Sequence, residues 1–490
     1  MDWTRTGMGR SGATVSVIAL VLVACGSPPA STTPAHSVAA TSAATIVPGK
    51  PTPIASAPAT PYAGIPAELI AAEPDGRKRN ILLIIADDFG LDLSPCHDVG
   101  ADKPRMPNLE RMCNEGLVFD TVWVSPLCTP SRATFLTGQY GFRTGVVQVG
   151  DGLKDTDSIM DDLARIDPEY ANAIVGKWHL TDTEPDDLDA PASFGVQHYA
   201  GFLSGFTDDF FSWDFVEDGV PGHSDTYTTT WMTDKALDWV GKQGDKPWFL
   251  WLAENEPHFP FHRPPDTLQH YDGLTNTESD IEARPRAYVK AQAEALDTEM
   301  GRLLASMDPQ VRANTTIIFV GDNGTDQPVI ADPFRNDHGK FSMYEGGIRV
   351  PLVVAGAGVT RRGQHEDALV AGVDIPATIA TIAGGRDSRF RDGQSFATAL
   401  TDASFAGRDH LYMDGIRAEP FDGGRPGWTV RTADWKLIEY DDGGVPEMFD
   451  MRSDIAETDN LIAGGVPAAL RSTYTELEDY GTKLRASKKS

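Results

Sequence analysis

The fold class that this 490-residue chain predicts is α/β: a large, mixed but mostly parallel sheet flanked by helices, followed by a small C-terminal antiparallel sheet. The apolar runs Ile81–Ala86, Ala173–Val175, Trp248–Ala253 and Thr315–Val320 read as strands buried on both faces. Helical spacing fills intervals between them, the signature of an α/β alternation. After about Arg408 the pattern changes to short β runs split by Asp-Gly turns such as Asp442-Gly443-Gly444.

In chain order, Arg5 and Arg10 precede an apolar run from Ala13 to Ala24, which reads as a signal peptide and is short for a membrane span. It ends Leu22-Val23-Ala24-Cys25, which resembles a bacterial lipobox, with cleavage before Cys25 and lipid on its thiol. An ordinary export signal that contains a cysteine is the alternative. Residues 26 to about 79 are rich in Pro, Ser, Thr and Ala without periodicity, the composition of a disordered tether. The expected organisation is therefore a lipoprotein signal over 1–24, a tether over 25–79, a catalytic body over 80–408 and a C-terminal α+β subdomain over 409–490. The expected location is extracytoplasmic, with the protein anchored to a bacterial cell membrane through Cys25.

Each buried run stops at polar residues able to do chemistry. Ile81–Ala86 meets Asp87-Asp88, and Ala173–Val175 meets Gly176-Lys177-Trp178-His179. Trp248–Ala253 meets Glu254-Asn255-Glu256-Pro257-His258, and Thr315–Val320 meets Gly321-Asp322-Asn323-Gly324. In open α/β sheets ligands bind beyond the carboxyl ends of the strands, so one site can collect all these clusters. Helices are expected at Pro107–Gly116, at Arg286–Met307 through Val289, Ala293, Leu296, Met300 and Leu303, at Asp374–Ile382 before Gly384, and after Thr473. Cys113 falls on the apolar side of the first of these, so it reads at least as well as a packed core thiol as it does as the disulfide partner of Cys96.

The formal charge is −29, from 42 Lys plus Arg against 71 Asp plus Glu. Such a field repels nucleic acid and highly sulfated polyanions, although a local basic pocket survives inside it. The most specific stretch is Cys128-Thr129-Pro130-Ser131-Arg132, continuing to Leu136-Thr137-Gly138. Pro130 suits a first helical turn and Gly138 a helix end, which places Cys128 at a helix N-terminus where free N–H groups favour an anion. Arg132, one turn on, adds a positive fork.

This C-x-P-S-R core with its Leu and Gly resembles the signature of type I, formylglycine-dependent sulfatases of the alkaline phosphatase-like superfamily. Lys340 with Tyr344–Leu352, Val373-Asp374-Ile375, and Trp435-Lys436-Leu437 with Met448-Phe449-Asp450 resemble further landmarks of that family. Asn336-Asp337-His338-Gly339 departs from the glycine-rich stretch that often precedes the lysine. The resemblance implies an arylsulfatase-like sulfuric ester hydrolase acting on a small sulfate ester, with Cys128 converted to Cα-formylglycine by a maturing enzyme. It implies one divalent cation, Ca²⁺ ahead of Mg²⁺, on Asp87, Asp88, Asp322, Asn323 and the modified Cys128, a hard oxygen set unlike a zinc site. It also implies that the formylglycine hydrate attacks sulfur, with Arg132 orienting it. Lys177, His258 and Lys340 would grip the sulfate, His258 or Lys340 would protonate the leaving alcohol, with His258 favoured by its ordinary pKa, and His179 would take the proton that releases sulfate. His262 reads as a loop neighbour, Arg263 as a candidate substrate contact, and the loops 194–225 and 260–285 as walls of the alcohol pocket. A formylglycine-dependent phosphonate monoester or phosphodiester hydrolase shares this nucleophile and remains an alternative. A non-catalytic surface lipoprotein is a more distant one.

Overall fold

Asn80–Ala86 is buried along its whole length and runs inside a ten-stranded sheet. The computed structural model describes residues 78–154, 156–181, 187–385, 392–417 and 424–487. The signal segment, Cys25 and the tether to residue 77 lie outside the described residues.

Across the sheet, Thr315–Gly321, Asn80–Ala86, Trp248–Ala253, Ala171–Gly176 and Tyr199–Gly201 are consecutive parallel neighbours. Leu352–Gly356 pairs antiparallel to Thr315–Gly321 and passes the sheet on to Leu117–Phe119 and Gln364–Glu366. The opposite edge is a hairpin of Trp213–Glu217 and Val220–Ser224. The parallel strands carry apolar residues on both faces because helices cover both. Ile81, Leu83 and Ile85 pack with Phe135, Leu136, Ile159 and Ile375, whereas Leu82 and Ile84 pack with Leu109, Met232, Leu296 and Met300. Each fully buried aliphatic side chain contributes about 1.5–3 kcal/mol of transfer free energy, so this alternation settles the layering.

The expected helices form at Pro107–Glu115, Pro285–Ser306, Asp374–Ile382 and Arg471–Ala486. The structure decides the cysteine question in favour of the bond. Cys113 does sit on the buried side of its helix, but its sulfur is joined to Cys96, with the Cα atoms 6.0 Å apart. The helix face that looks apolar in sequence packs against the loop that carries Cys96, and sequence spacing does not report that apposition.

Leu411–Asp414, Gly427–Arg431, Trp435–Tyr440 and Glu447–Asp450 make the small antiparallel sheet. Arg471–Ala486 lies on it with Gly481 against the Trp428 ring, where a Cβ would come within 2.1 Å. Trp428, Leu437 and Leu477 share one apolar cluster with Trp123, Tyr140 and Ile348 of the larger sheet's surroundings. Among the described residues, no helix is long and apolar enough to cross a membrane.

Candidate active site

Strand register brings the polar clusters together. Ala86 pairs with Gly321, Ile85 with Ala253, and Gly176 with Ala253. The next residue on each strand is Asp87, Asp322, Glu254 or Lys177, so these side chains emerge within one residue of a common line at the carboxyl edge.

Cys128 opens the fully buried helix Cys128–Thr137, whose start has no side-chain cap and whose end is closed by Gly138 at φ 63°. His179 Nδ1 lies 3.2 Å from Cys128 Sγ and its Nε2 lies 3.1 Å from Thr129 Oγ1. Its backbone has φ +53°, a conformation uncommon for non-glycine residues and found often at active sites. Gly205 backs the ring so closely that a Cβ would lie 2.6 Å from Nε2.

Three buried carboxylates are paired with cations, and Asp87 also meets Arg132 Nη2 at 3.6 Å. Lys177 Nζ is 2.5 Å from Asp87 Oδ2, and Lys340 Nζ is 2.6 Å from Asp88 Oδ1. Arg132 donates through Nε and Nη2 to Asp322 Oδ2 at 3.0 and 2.8 Å, and through Nη1 to the Lys177 carbonyl at 2.8 Å. The positive fork expected one turn after residue 128 is thus engaged with Asp322 and the Lys177 carbonyl. Arg132 is wholly buried and its donors serve a carboxylate and a carbonyl, because an unpaired Asp322 at this depth would be costly.

Burial pushes the Cys128 thiol up despite Lys177 and Lys340, so the unmodified side chain is held as a neutral, weakly nucleophilic thiol. Burial, reinforced by Lys177, holds His179 and His258 well below the usual imidazole range. His258 Nδ1 lies 2.7 Å from the Phe259 carbonyl and donates to it, which leaves the neutral ring's Nε2 as an acceptor 3.9 Å from Asp88 Oδ2. Burial works against the charge of Lys340, but Asp88 and Asp326 outweigh it and raise the ammonium above the ordinary lysine value. Burial lifts Asp322 to about 7, with Asp87 adding to the rise and Arg132 opposing it.

The donor set suits a hard cation. Asp87 Oδ1 and Asn323 Oδ1 are buried without a hydrogen-bond partner, although buried oxygens are normally satisfied. Asn323 Nδ2 donates to Asp88 Oδ1 at 2.7 Å, and Asp88 N donates to Asp322 Oδ1 at 3.1 Å, which links three of these oxygen-bearing residues. His258, expected on the sulfate and not on the cation, joins Asp87 and Asp88 in a group whose potential ligand atoms all lie within 4.8 Å of one another.

Cys128, His179, His258 and Lys340 line a cavity of about 290 Å³. Its other walls include Phe206, Phe259 and Phe341. Of the two loops expected to wall the alcohol pocket, 194–225 supplies Leu203–Phe206, whereas 260–285 supplies none of the lining side chains. Arg263 turns to Asp266 at 2.7 Å, and His262 hydrogen-bonds Tyr227 and the Pro260 carbonyl behind the site. Thr129, Gly205 and the three phenylalanines had no motif to announce them. The position of Thr129 inside the signature, and of Gly205 and Phe206 inside the aromatic-rich loop 194–225, offered a signal.

Comparison with known proteins matches residues 79–385 to the family model described as "Sulfatase", and residues 336–480 to "N-sulphoglucosamine sulphohydrolase, C-terminal". The chain is similar to "Uncharacterized sulfatase YidJ" of Escherichia coli (strain K12), 25% identical over 84% of this chain and 88% of the relative. It is also similar to "N-acetylglucosamine-6-O-sulfatase" of Bacteroides thetaiotaomicron, 24% identical over 79% of this chain and 83% of that one. Among solved structures, Ps i-CgsB in complex with k-i-k-neocarrahexaose shares the fold with a TM-score of 0.71, at 23% identity over 84% of this chain and 93% of its own.

Proposed function

The chain belongs to the sulfatase family, and on that premise we propose that it cleaves its substrate at the floor of the Cys128 cavity by a modified-cysteine route. It is a sulfuric ester hydrolase: water is consumed and an alcohol and sulfate are released. The observation that carries the proposed route is the placement of Cys128, a thiol that burial keeps neutral, at a helix start, 3.2 Å from the Nδ1 of a neutral imidazole.

Cα-formylglycine at position 128 would supply a hydrated aldehyde as nucleophile, and a divalent cation, Ca²⁺ ahead of Mg²⁺, on Asp87, Asp88, Asp322 and Asn323 would supply positive charge beside it. Lys177 and Lys340 bind and orient the sulfate oxygens, where fixed cations favour the charge that develops as the S–O bond breaks. Lys340 keeps its proton and donates it from Nζ to the departing oxygen. His258, tied through Nδ1 to the Phe259 carbonyl, presents Nε2 as an acceptor that orients the reacting groups. His179 Nδ1 receives a proton from the side chain at position 128. Arg132 is a positioning residue that acts through Asp322 and the Lys177 carbonyl.

The same reading places the protein outside the cytoplasm, tethered by lipid on Cys25 and matured by a formylglycine-generating enzyme. The signal-like run Ala13–Ala24 supports it, as does the Cys96–Cys113 disulfide, a bond that persists in oxidising compartments.

The test is to co-express the chain with a maturing enzyme, then measure aldehyde in the peptide spanning residue 128, bound metal, and hydrolysis of matched aryl sulfate and aryl phosphonate esters. An aldehyde-bearing, metal-loaded enzyme that prefers the sulfate is expected. Full activity with only unmodified thiol at 128, or a preference for the phosphonate, would overturn the proposal.

A further inference from the structure

We propose that Thr325 and Asp92 are positioning residues for the cation site, a buried clasp that holds its two ligand-bearing strand ends at the spacing the ion needs. The inference rests on the reading of Asp87, Asp88, Asp322 and Asn323 as a divalent cation site. It adds to that reading the residues that preorganise the ligands.

The clasp is built from hydrogen bonds whose direction is fixed. Thr325 Oγ1 accepts the Gly90 N–H at 3.1 Å and lies 2.6 Å from Asp92 Oδ1. A carboxylate only accepts, so the hydroxyl gives its one proton to Asp92. Thr325 and Asp92 are both buried, and the loops that follow Asp87-Asp88 and Asp322-Asn323 meet through this single hydroxyl. The approach is so close that a Cβ on Gly90 would lie 2.7 Å from both Thr325 N and Thr325 Oγ1.

Asp92 is itself anchored to a long helix. Its Oδ2 accepts from Arg286 Nη1 at 2.6 Å and from Ala331 N at 3.1 Å. Arg286 stands in the first turn of Pro285–Ser306, and its Nη1 also reaches the Val329 carbonyl at 2.8 Å. One guanidinium thus grips both loops, through Asp92 on the first and Val329 on the second. The Thr325 carbonyl accepts from Lys340 N at 2.9 Å, which ties the clasp to the backbone of the sulfate-binding lysine as well.

Carboxylates gathered for a cation repel one another, and burial strengthens the repulsion. A site of this kind gains affinity from contacts that hold its loops together before the ion arrives. Two direct links between the strand ends, Asp322 N to the Ala86 carbonyl and Asp88 N to Asp322 Oδ1, lie at the ligands themselves. The Thr325–Asp92 bond joins the same two loops two residues beyond Asn323 and four beyond Asp88. A contact at that place acts on the spacing of the ligands without being a ligand. Outer partners of this kind govern metal affinity by about 10–100-fold.

The experiment equilibrates the matured full-length protein against buffers of graded free Ca²⁺ and counts bound calcium, alongside thermal unfolding in excess chelator. Thr325→Val keeps the shape of the side chain and removes the hydroxyl, leaving the Gly90 N–H and Asp92 Oδ1 without their partner. We expect its Kd for Ca²⁺ to rise about tenfold or more, with Thr325→Ser, which keeps the hydroxyl, close to the natural protein. Arg286→Gln, at a side chain 17% exposed, loosens Asp92 from the helix and should raise Kd in the same direction. Unchanged Ca²⁺ affinity in Thr325→Val, or in Arg286→Gln should the first variant not fold, would overturn the inference. It would do so even with a lower melting temperature in chelator, the mark of a purely structural role. An equal loss of affinity in Thr325→Ser would also overturn it, by tracing the effect to the methyl group and not to the hydroxyl. A natural protein that binds no Ca²⁺ would instead remove the cation reading, and this inference with it.

Discussion

Glu345 and Lys436, ninety-one residues apart in the chain, meet in the interior with Nζ 3.3 Å from Oε1, both side chains without exposure. Arg431 and Arg349 contact the other oxygen of Glu345, Trp123 Nε1 donates to Oε1, and Lys436 also meets Glu457 at 2.7 Å. Burial alone would raise Glu345, but Arg431, Lys436 and Arg349 outweigh it and hold the carboxyl at about 2. The network fastens the small C-terminal sheet to the segment that begins at Lys340, which connects a distant strand to the active site. Lys436→Met leaves buried carboxylates undercompensated and should cost about 3–5 kcal/mol of stability. Denaturant unfolding checks the loss, and an accompanying fall in kcat would show that the segment carrying Lys340 has shifted. A loss of less than about 1 kcal/mol, the scale of a surface pair, would mean that the network does not hold the sheet in place.

His97 offers a pH test away from the catalytic cluster. Burial lowers it from 6.5 to about 3, while Ser94 Oγ and the Phe119 carbonyl occupy its ring nitrogens. The folded state therefore excludes a proton that the unfolded chain binds below about 6.5. This contribution to stability is present above 6.5 and is lost as pH falls from 6.5 towards 3, at up to about 1.4 kcal/mol per pH unit. Unfolding free energies at several pH values should fall more steeply for the natural protein than for His97→Gln. Equal slopes would contradict the assignment.

Gly205→Ala should impair catalysis while sparing the fold. The added Cβ would press on the His179 ring at 2.6–2.7 Å and push Nδ1 out of line with residue 128. Small displacements of a catalytic group can cost about 10²-fold, so a fall in kcat of roughly that order is expected with an unchanged melting temperature. Wild-type kcat in this variant would show that the ring tolerates displacement.

The proton donor is testable by leaving group. The proposed mechanism gives the proton to Lys340, whose charge Asp88 favours against burial, rather than to His258, whose charge burial and Lys177 disfavour. General acid help contributes about 10²–10⁴-fold where the leaving oxygen needs it. Lys340→Ala should therefore lose far more activity on an alkyl sulfate than on nitrophenyl sulfate, with His258→Ala affecting both similarly. The reverse pattern would return the role to His258.

Cys25→Ser should release the mature protein from membranes while leaving turnover per folded molecule intact. Fractionation of cell extracts reads this directly. A variant that still sediments with lipid would rule out anchoring through Cys25.

The local pattern of the chain determined most of the fold. Uninterrupted apolar runs require burial on two faces, and their abrupt ends at Asp87, Lys177, Glu254 and Asp322 marked the catalytic edge, because composition and periodicity report how each segment meets water. The cysteine-centred signature pointed to the proposed nucleophile position by its resemblance to a sulfatase motif, while the geometry of one helical turn accounts only for Cys128 at a helix start. Only tertiary structure decided which of these ends became neighbours in the sheet, that Arg132 turns to Asp322, that Cys113 faces Cys96, and that Phe206, Phe259 and Phe341 close on one cavity. Those outcomes depend on pairings between residues far apart in the chain, such as Arg132 with Asp322 at a separation of 190. A buried charge takes whichever compensating partner the packed strands bring within reach, and no local period carries that information.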